Sequence, residues 1–267
     1  MSSSKQQKIV AVKLLGDSNV EEDLLYAKLP IYKKRIKQAR EYVSRCLAAS
    51  YKPCVSFSGG KDSSVLLSMV IEQRPDAMVV MYDSGAEFPE TFDIIEQTEK
   101  RLGITIYILE PEMSMLELKA YADVNGPIHI SEYKRVLIED PSRRIATEYG
   151  CDMFFIGLRK QESNYRLFAL ARMKEPYYYS EKMKFFMAYP LMNLKGEDVY
   201  AYIAENRLPL HPYYTDPRIH LDRNLRRVSG WAGDTASSQG RWLWLKFTHP
   251  ELYERLYAAD ERAGWYI

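Results

Sequence analysis

Ser58-Gly59-Gly60-Lys61-Asp62-Ser63 stands directly after the apolar run Cys54-Val55-Ser56-Phe57 and directly before Val65-Leu66-Leu67-Ser68-Met69-Val70. This order predicts a phosphate-binding turn between a buried strand and the N-terminus of a helix. Adjacent glycines let the backbone turn tightly and approach an anion. The N–H groups of the helix's first turn, at its positive dipole end, then point at that anion. Ser58 and Ser63 add hydroxyl donors and Lys61 a cation. Neither the dinucleotide fingerprint nor the Walker A loop fits, because no glycine stands where Gly-x-x-x-x-Gly-Lys-Ser/Thr requires one and Asp62 follows Lys61. An acid inside a phosphate loop calls for a cation between it and the phosphates, so Asp62 reads as a magnesium ligand.

Upstream, Pro30 to Ala49 carries Ile31, Ile36, Ala39, Val43 and Leu47 among lysines and arginines, a helical stripe with a basic outer face. Downstream, Ala77 to Met81 reads as a second buried strand ending in Tyr82-Asp83-Ser84-Gly85. Pro89 to Arg101 reads as a helix, Ile104 to Leu109 as a third strand and Met153 to Gly157 as a fourth. Met113 to Glu139 reads as a loop-rich insertion, and Pro141 to Tyr149 and Gly196 to Asn206 as helices. Strands alternating with helices predict an α/β fold, a doubly wound, mainly parallel, Rossmann-like sheet with a helical or irregular C-terminal extension. Residues 1–215 form the expected domain, and 216–267 an extension packed on it. In such sheets the ligand crevice lies beyond the carboxyl ends of the strands, where Ser58 to Ser63 and Asp83 to Gly85 both fall.

At 267 residues and 46% hydrophobic content the chain can bury a substantial core. A formal net charge of +1 gives no global case for a nucleic-acid or membrane partner, so any such partner must meet a local patch. No stretch approaches a membrane span and the N-terminus lacks an apolar signal core, which predicts a cytoplasmic protein with no membrane partner. Cys46, Cys54 and Cys151 show no paired spacing, so buried free thiols are expected rather than a disulfide, zinc or iron–sulfur site.

The hexapeptide in this setting resembles the signature of the PP-loop ATP pyrophosphatases, whose fold is of the adenine nucleotide alpha hydrolase type. Asp83-Ser84-Gly85 followed by Glu87-Phe88-Pro89-Glu90-Thr91 resembles the Asp-Thr-Gly and Phe-Pro-Glu-Thr segment of phosphoadenosine phosphosulfate reductases and of the ATP sulfurylase small subunit. Gly157-Leu158-Arg159-Lys160-Gln161-Glu162-Ser163-Asn164-Tyr165-Arg166 resembles the Gly-x-Arg-x-x-Glu-Ser-x-x-Arg motif of the same branch. Ala188 to Leu191 and Leu208 to Tyr214 resemble its closing segment, so the likeness runs from about Pro53 to Tyr214. It implies that Ser58, Gly59, Gly60, Lys61 and Ser63 hold pyrophosphate and that the backbone from Tyr82 through Asp83 and Ser84 to Gly85 meets adenine and ribose. Gly157 would line the nucleotide site. Asp62 and Asp83 would bind magnesium, and Arg159 and Arg166 would neutralise the α-phosphate or the acceptor, with Glu162 steering Arg166. Taken as residues alone, two guanidinium groups at a strand end suit a phosphate or sulfate, and a solvated charged turn is the equal alternative. His211, flanked by prolines, reads as structural.

The reductases of this branch carry a nucleophilic cysteine near the C-terminus, and this chain has no cysteine after Cys151. Some relatives carry Gly-Cys-x-x-Cys where Trp231 and Asp234 stand. Sulfonyl reduction and cluster-dependent chemistry are therefore disfavoured, and the expectation is an ATP pyrophosphatase that transfers the adenylyl group to an oxyanion. Resemblance to small PP-loop enzymes of DNA phosphorothioation implies a DNA phosphate as acceptor and a cysteine desulfurase as partner. Sulfate adenylylation and a non-catalytic nucleotide sensor are the alternatives, and a homo-oligomer is left open. Tyr177-Tyr178-Tyr179, Trp231, Trp242 and Trp244 read either as stacking platforms for bases or as core.

Overall fold

The computed structural model describes residues 19–229 and 235–259. Their centre is a six-stranded sheet in the order β3-β2-β1-β4-β6-β5. The strands are β1 (Pro53–Ser56), β2 (Met78–Tyr82), β3 (Ile106–Leu109), β4 (Met153–Phe155), β5 (Tyr177–Ser180) and β6 (Phe185–Ala188). All neighbours run parallel except β5, which is antiparallel to β6 at the edge. The apolar runs of β1, β2 and β4 form strands buried on both faces, as a helix-covered parallel sheet requires, whereas Tyr107 and Ile108 of the edge strand β3 are exposed. Successive residues alternate between the two faces. Val55, Val79, Met81, Met153 and Phe155 join the larger core, while Cys54, Val80 and Phe154 join a smaller one with Ile145 and Phe185.

Helices α1 (Val20–Tyr26), α2 (Pro30–Ala48), α3 (Lys61–Gln73), α4 (Pro89–Leu102), α5 (Met115–Asn125), α6 (Ile130–Lys134), α7 (Asp140–Tyr149), α8 (Asn164–Ala171), α9 (Gly196–Asn206), α10 (Thr235–Thr248) and α11 (Pro250–Ala259) surround the sheet. In α2 the buried stripe runs through Tyr32, Ile36, Ala39, Val43 and Cys46, whereas Ile31, assigned to that stripe from its sequence, is 45% exposed. Cys46, Cys54 and Cys151 are free and buried.

One further sequence expectation is corrected, one element is new, and one open alternative is decided. Residues 113–139 are not loop-rich, because α5, α6 and a π-helical turn over Arg135–Glu139 occupy them. The signal was present in a capping box, with the Ser114 hydroxyl accepting from Glu117 N and the Glu117 carboxylate accepting from Ser114 N. The hairpin β5–β6 was not anticipated, and it places β6 beside β4. Trp242 and Trp244, read either as stacking platforms or as core, are 6% and 2% exposed and pack into the main core. Trp231 and Asp234 lie outside the described residues. Among the described residues no helix is long and apolar enough to cross a membrane.

Candidate active site

The chain leaves β1 toward β2 and β3 on one side and returns to β4 on the other, so the sheet's direction of winding reverses between β1 and β4. The crevice of a doubly wound sheet opens at such a point. Ser58 to Ser63 follows β1 and Gly157 to Arg166 follows β4, which brings the two motifs to one place. Gly59 has φ +66°, and a Cβ there would stand 3.0 Å from Thr91 Cγ2 of the third motif. A Cβ on Gly157 would stand 3.1 Å from the backbone of both Asp62 and Ser63. Three motifs thus meet closely, and a side chain at either glycine would crowd its neighbour, the more so at Gly59 with its left-handed φ.

Gly60 caps α3, and its carbonyl accepts from the Ser63 and Ser64 hydroxyls at 2.9 and 3.0 Å. The Ser63 hydroxyl in turn lies 3.2 Å from both the Ser58 nitrogen and the Ser58 hydroxyl, which closes the loop on itself. Lys61 is 1% exposed. Its Nζ donates to the Arg226 carbonyl at 2.9 Å, lies 3.2 Å from Asp62 Oδ2, and sits 5.0 Å from the centre of the Tyr214 ring. Asp62 Oδ1 pairs with Arg159 Nε, also 1% exposed. Burial alone would raise the Asp62 carboxyl, but Lys61 and Arg159 outweigh it and hold it at about 2. Burial lowers the Lys61 ammonium, with Asp62 opposing and Arg159 reinforcing the drop.

Glu162 organises the β4 motif, as the steering role expected from its sequence requires. Its Oε2 accepts from Arg159 N at 2.7 Å, and its Oε1 pairs with Arg166. Tyr82, Asp83, Ser84 and Gly85 lie at the end of the neighbouring strand, and their bonds run both within the loop and out to β3, α5 and α7. Asp83 Oδ1 accepts from Gly85 N at 2.8 Å, Ser84 donates to Glu87 at 2.8 Å, and the Tyr82 hydroxyl meets that of Ser142 at 2.7 Å. Asp62 and Asp83 carry hard oxygen donors of the kind magnesium takes alongside phosphates, although among the described residues no three acidic, histidine or cysteine side chains gather into a metal-holding group. With both Asp62 oxygens engaged by cations, Asp62 would meet magnesium through water. His211 is fully buried, its Nδ1 accepts from Tyr213 N at 3.1 Å, and burial lowers the ring to about 3.

Sequence reasoning assigned no role to Tyr214, the Arg226 carbonyl or Glu87. Burial pushes the Glu87 carboxyl up to about 7, with Asp83 adding to the rise and Ser84 and Arg241 opposing it. Oε2 of Glu87 is buried without a hydrogen-bond partner among the described residues, as suits a protonated acid. The folded value stands above the ordinary 4.5, so the native state keeps a proton that the unfolded chain releases. That stabilisation is complete below the unfolded value and is lost as pH rises through the folded one. Wild-type stability is expected to decline from about pH 5 to about pH 8 by about 2 kcal/mol more than in Glu87→Gln, measured as urea midpoints across pH. Parallel pH profiles for the two proteins would reject this.

A sequence profile of the phosphoadenosine phosphosulfate reductase domain matches residues 52–220. The chain belongs to this family. Phosphoadenosine 5'-phosphosulfate reductase from Alteromonas mediterranea is 28% identical over 60% of this chain and 63% of its own length. The enzyme of that name from Xanthomonas campestris is 27% identical over 72% of this chain and 78% of its own length. Among solved structures, the reductase from Candida auris in a phosphate complex superposes with TM-score 0.55 at 18% identity, covering 82% of this chain and 97% of that one. The U34-tRNA thiolase NcsA from Methanococcus maripaludis, solved with its 4Fe–4S cluster, gives TM-score 0.52 at 16% identity, covering 87% and 80%. These likenesses show a shared fold. The reductase-domain match ends at residue 220, so Arg226 and the helices after it lie beyond the region that the family profile describes.

Proposed function

We propose that this member of the reductase family is an ATP pyrophosphatase that transfers the adenylyl group of ATP to an oxyanion acceptor. The carrying observation is the closed Ser58 to Ser63 loop at the reversal point of the sheet, its lysine and aspartate meshed with an arginine of the β4 motif. An acceptor oxygen attacks the α-phosphorus, the bond from that phosphorus to the bridging oxygen breaks, and pyrophosphate leaves with the bond's electron pair. No general base is required, because the acceptor is already an anion. Backbone N–H groups of Gly59 and Gly60, the Ser58 and Ser63 hydroxyls and Lys61 hold the leaving pyrophosphate, while Arg159 and Arg166 offset charge at the α-phosphate and acceptor. Magnesium, when bound with ATP, lowers the repulsion among the phosphates. All three cysteines are buried, Cys46 in α2, Cys54 in β1 and Cys151 just before β4, so a thiol attack on a sulfonyl group has no support from the described site.

For the acceptor we favour a phosphate of the DNA backbone, adenylated so that a cysteine desulfurase can deliver sulfur. Tyr165, Phe168, Tyr178 and Tyr179 are 82%, 65%, 45% and 44% exposed, and Arg172 and Lys174 beside them are exposed as well. Exposed aromatic rings among cations suit a flexible polyanion with planar bases. Pyrophosphate release from ATP and magnesium tests the reading, with single-stranded DNA, double-stranded DNA and sulfate in parallel. Stimulation by DNA is expected. Stimulation by sulfate alone would move the protein to sulfate activation, and ATP binding without release under any condition would make it a sensor.

A further inference from the structure

Arg159 and Arg166 entered the site together, yet the structure treats them differently. Arg159 is 1% exposed and spent on Asp62, whereas the Arg166 side chain is 26% exposed and spent on Glu162. A second guanidinium converges on the same carboxylate oxygen from the far end of the chain. Arg227 Nε lies 3.7 Å from Glu162 Oε1, and Arg227 Nη2 donates to the Glu162 carbonyl at 3.0 Å. The Arg227 side chain is 19% exposed, so part of it reaches solvent beside Glu162.

The segment that carries Arg227 is built in. Arg226 donates to the carbonyls of Tyr213, Tyr214, Asp216 and Leu221 at 3.1, 3.0, 3.1 and 3.1 Å, and its own carbonyl accepts from Lys61. Arg241 from α10 donates to the Ser229 carbonyl at 2.7 Å. One residue from the phosphate-loop lysine contact, then, a fixed backbone presents a cation toward Glu162. We propose that Arg227 is an anion-binding residue of this site, pairing with Arg166 across Glu162 to receive the acceptor oxyanion. The inference rests on the adenylyl-transfer reading for its acceptor, but the anion pocket itself does not require turnover. Glu162 keeps the two guanidinium groups apart and oriented, and the planar Arg fork supplies paired donors to a phosphate or sulfate oxygen.

The test uses the full chain saturated with α,β-methylene ATP, which keeps the leaving group in place. Sulfate and a single-stranded phosphodiester oligonucleotide are titrated calorimetrically into wild type, Arg227→Ala, Arg227→Gln and the exposed-surface control Arg255→Ala. Loss of one charge-assisted contact is expected to weaken the tighter-binding probe about tenfold in both Arg227 variants. Affinity for α,β-methylene ATP should stay within about twofold of wild type, and Arg255→Ala should match wild type throughout. Arg227→Lys should recover part of the loss by restoring the charge without the fork. Equal weakening of the ATP analogue and the probe would make Arg227 a structural clamp and overturn the proposal. So would unchanged probe affinity, or no probe binding by analogue-loaded wild type. Probe binding that depends on Arg227 in a protein that never releases pyrophosphate from ATP would keep the anion pocket and discard adenylyl transfer.

Discussion

Asp62→Asn is expected to release pyrophosphate about a thousandfold more slowly than wild type and to unfold at lower urea, a loss of about 3 kcal/mol. Both effects come from one geometry. The carboxylate lies between Lys61 and Arg159, each 1% exposed. Removing its charge leaves two buried cations facing each other with nothing between them. The amide keeps the shape and loses the attraction, so the side chains must separate or Lys61 must give up its proton. A deprotonated Lys61 cannot hold pyrophosphate as it leaves. Steady-state release and urea denaturation on the same preparation check both claims. Lys61→Ala separates them: it should lose comparable activity with a smaller loss of stability, since the Asp62–Arg159 pair survives. Full activity in Asp62→Asn would remove the loop from the mechanism.

Trp244→Ala carries the second large expectation, a loss of about 4 kcal/mol of stability. Trp244 is 2% exposed, its ring centre lies 4.8 Å from that of Phe88 and 5.7 Å from that of Tyr213, and its Nε1 donates to Asp216 at 2.9 Å. Phe88 belongs to the loop after β2 and Tyr213 to the segment under Lys61, so the cavity would open beneath the site. Trp244→Phe should cost less than half as much, because it keeps most of the apolar volume and loses the hydrogen bond. Urea midpoints for the two variants decide the matter, and a loss below about 1 kcal/mol in Trp244→Ala would mean that α10 is not part of the core.

What the sequence disclosed is local. Ser58 to Ser63, Gly157 to Arg166 and the strands before them each occupy one short stretch, so turn chemistry and apolar runs reveal them. Glu162 was legible because its partners, Arg159 and Arg166, lie within one or two helical turns. The burial of Trp242 and Trp244 was not, since an aromatic helix face looks the same whether it meets a core or a stack of bases. The hairpin of β5 and β6 was hidden by Tyr177-Tyr178-Tyr179, which lacks the alternation of a half-buried strand. Nothing local in the sequence marks Arg226 and Arg227 for a role. Only the fold carries that pair back to Lys61 and Glu162.

The hydrogen bond from Lys61 to Arg226 joins residues 165 positions apart. The pairing of β1 with β4 likewise waits for residues 153–155. Loop-closure entropy must be met before such distant contacts return any stabilisation, which makes them late events in folding. On the ribosome, β1, α3 and β2 emerge long before the partners that bury Lys61, so the phosphate loop spends its early life open. Burial of Lys61 is complete only once the C-terminal segment is in place, and a chain released short of Arg226 lacks the carbonyl that receives its ammonium.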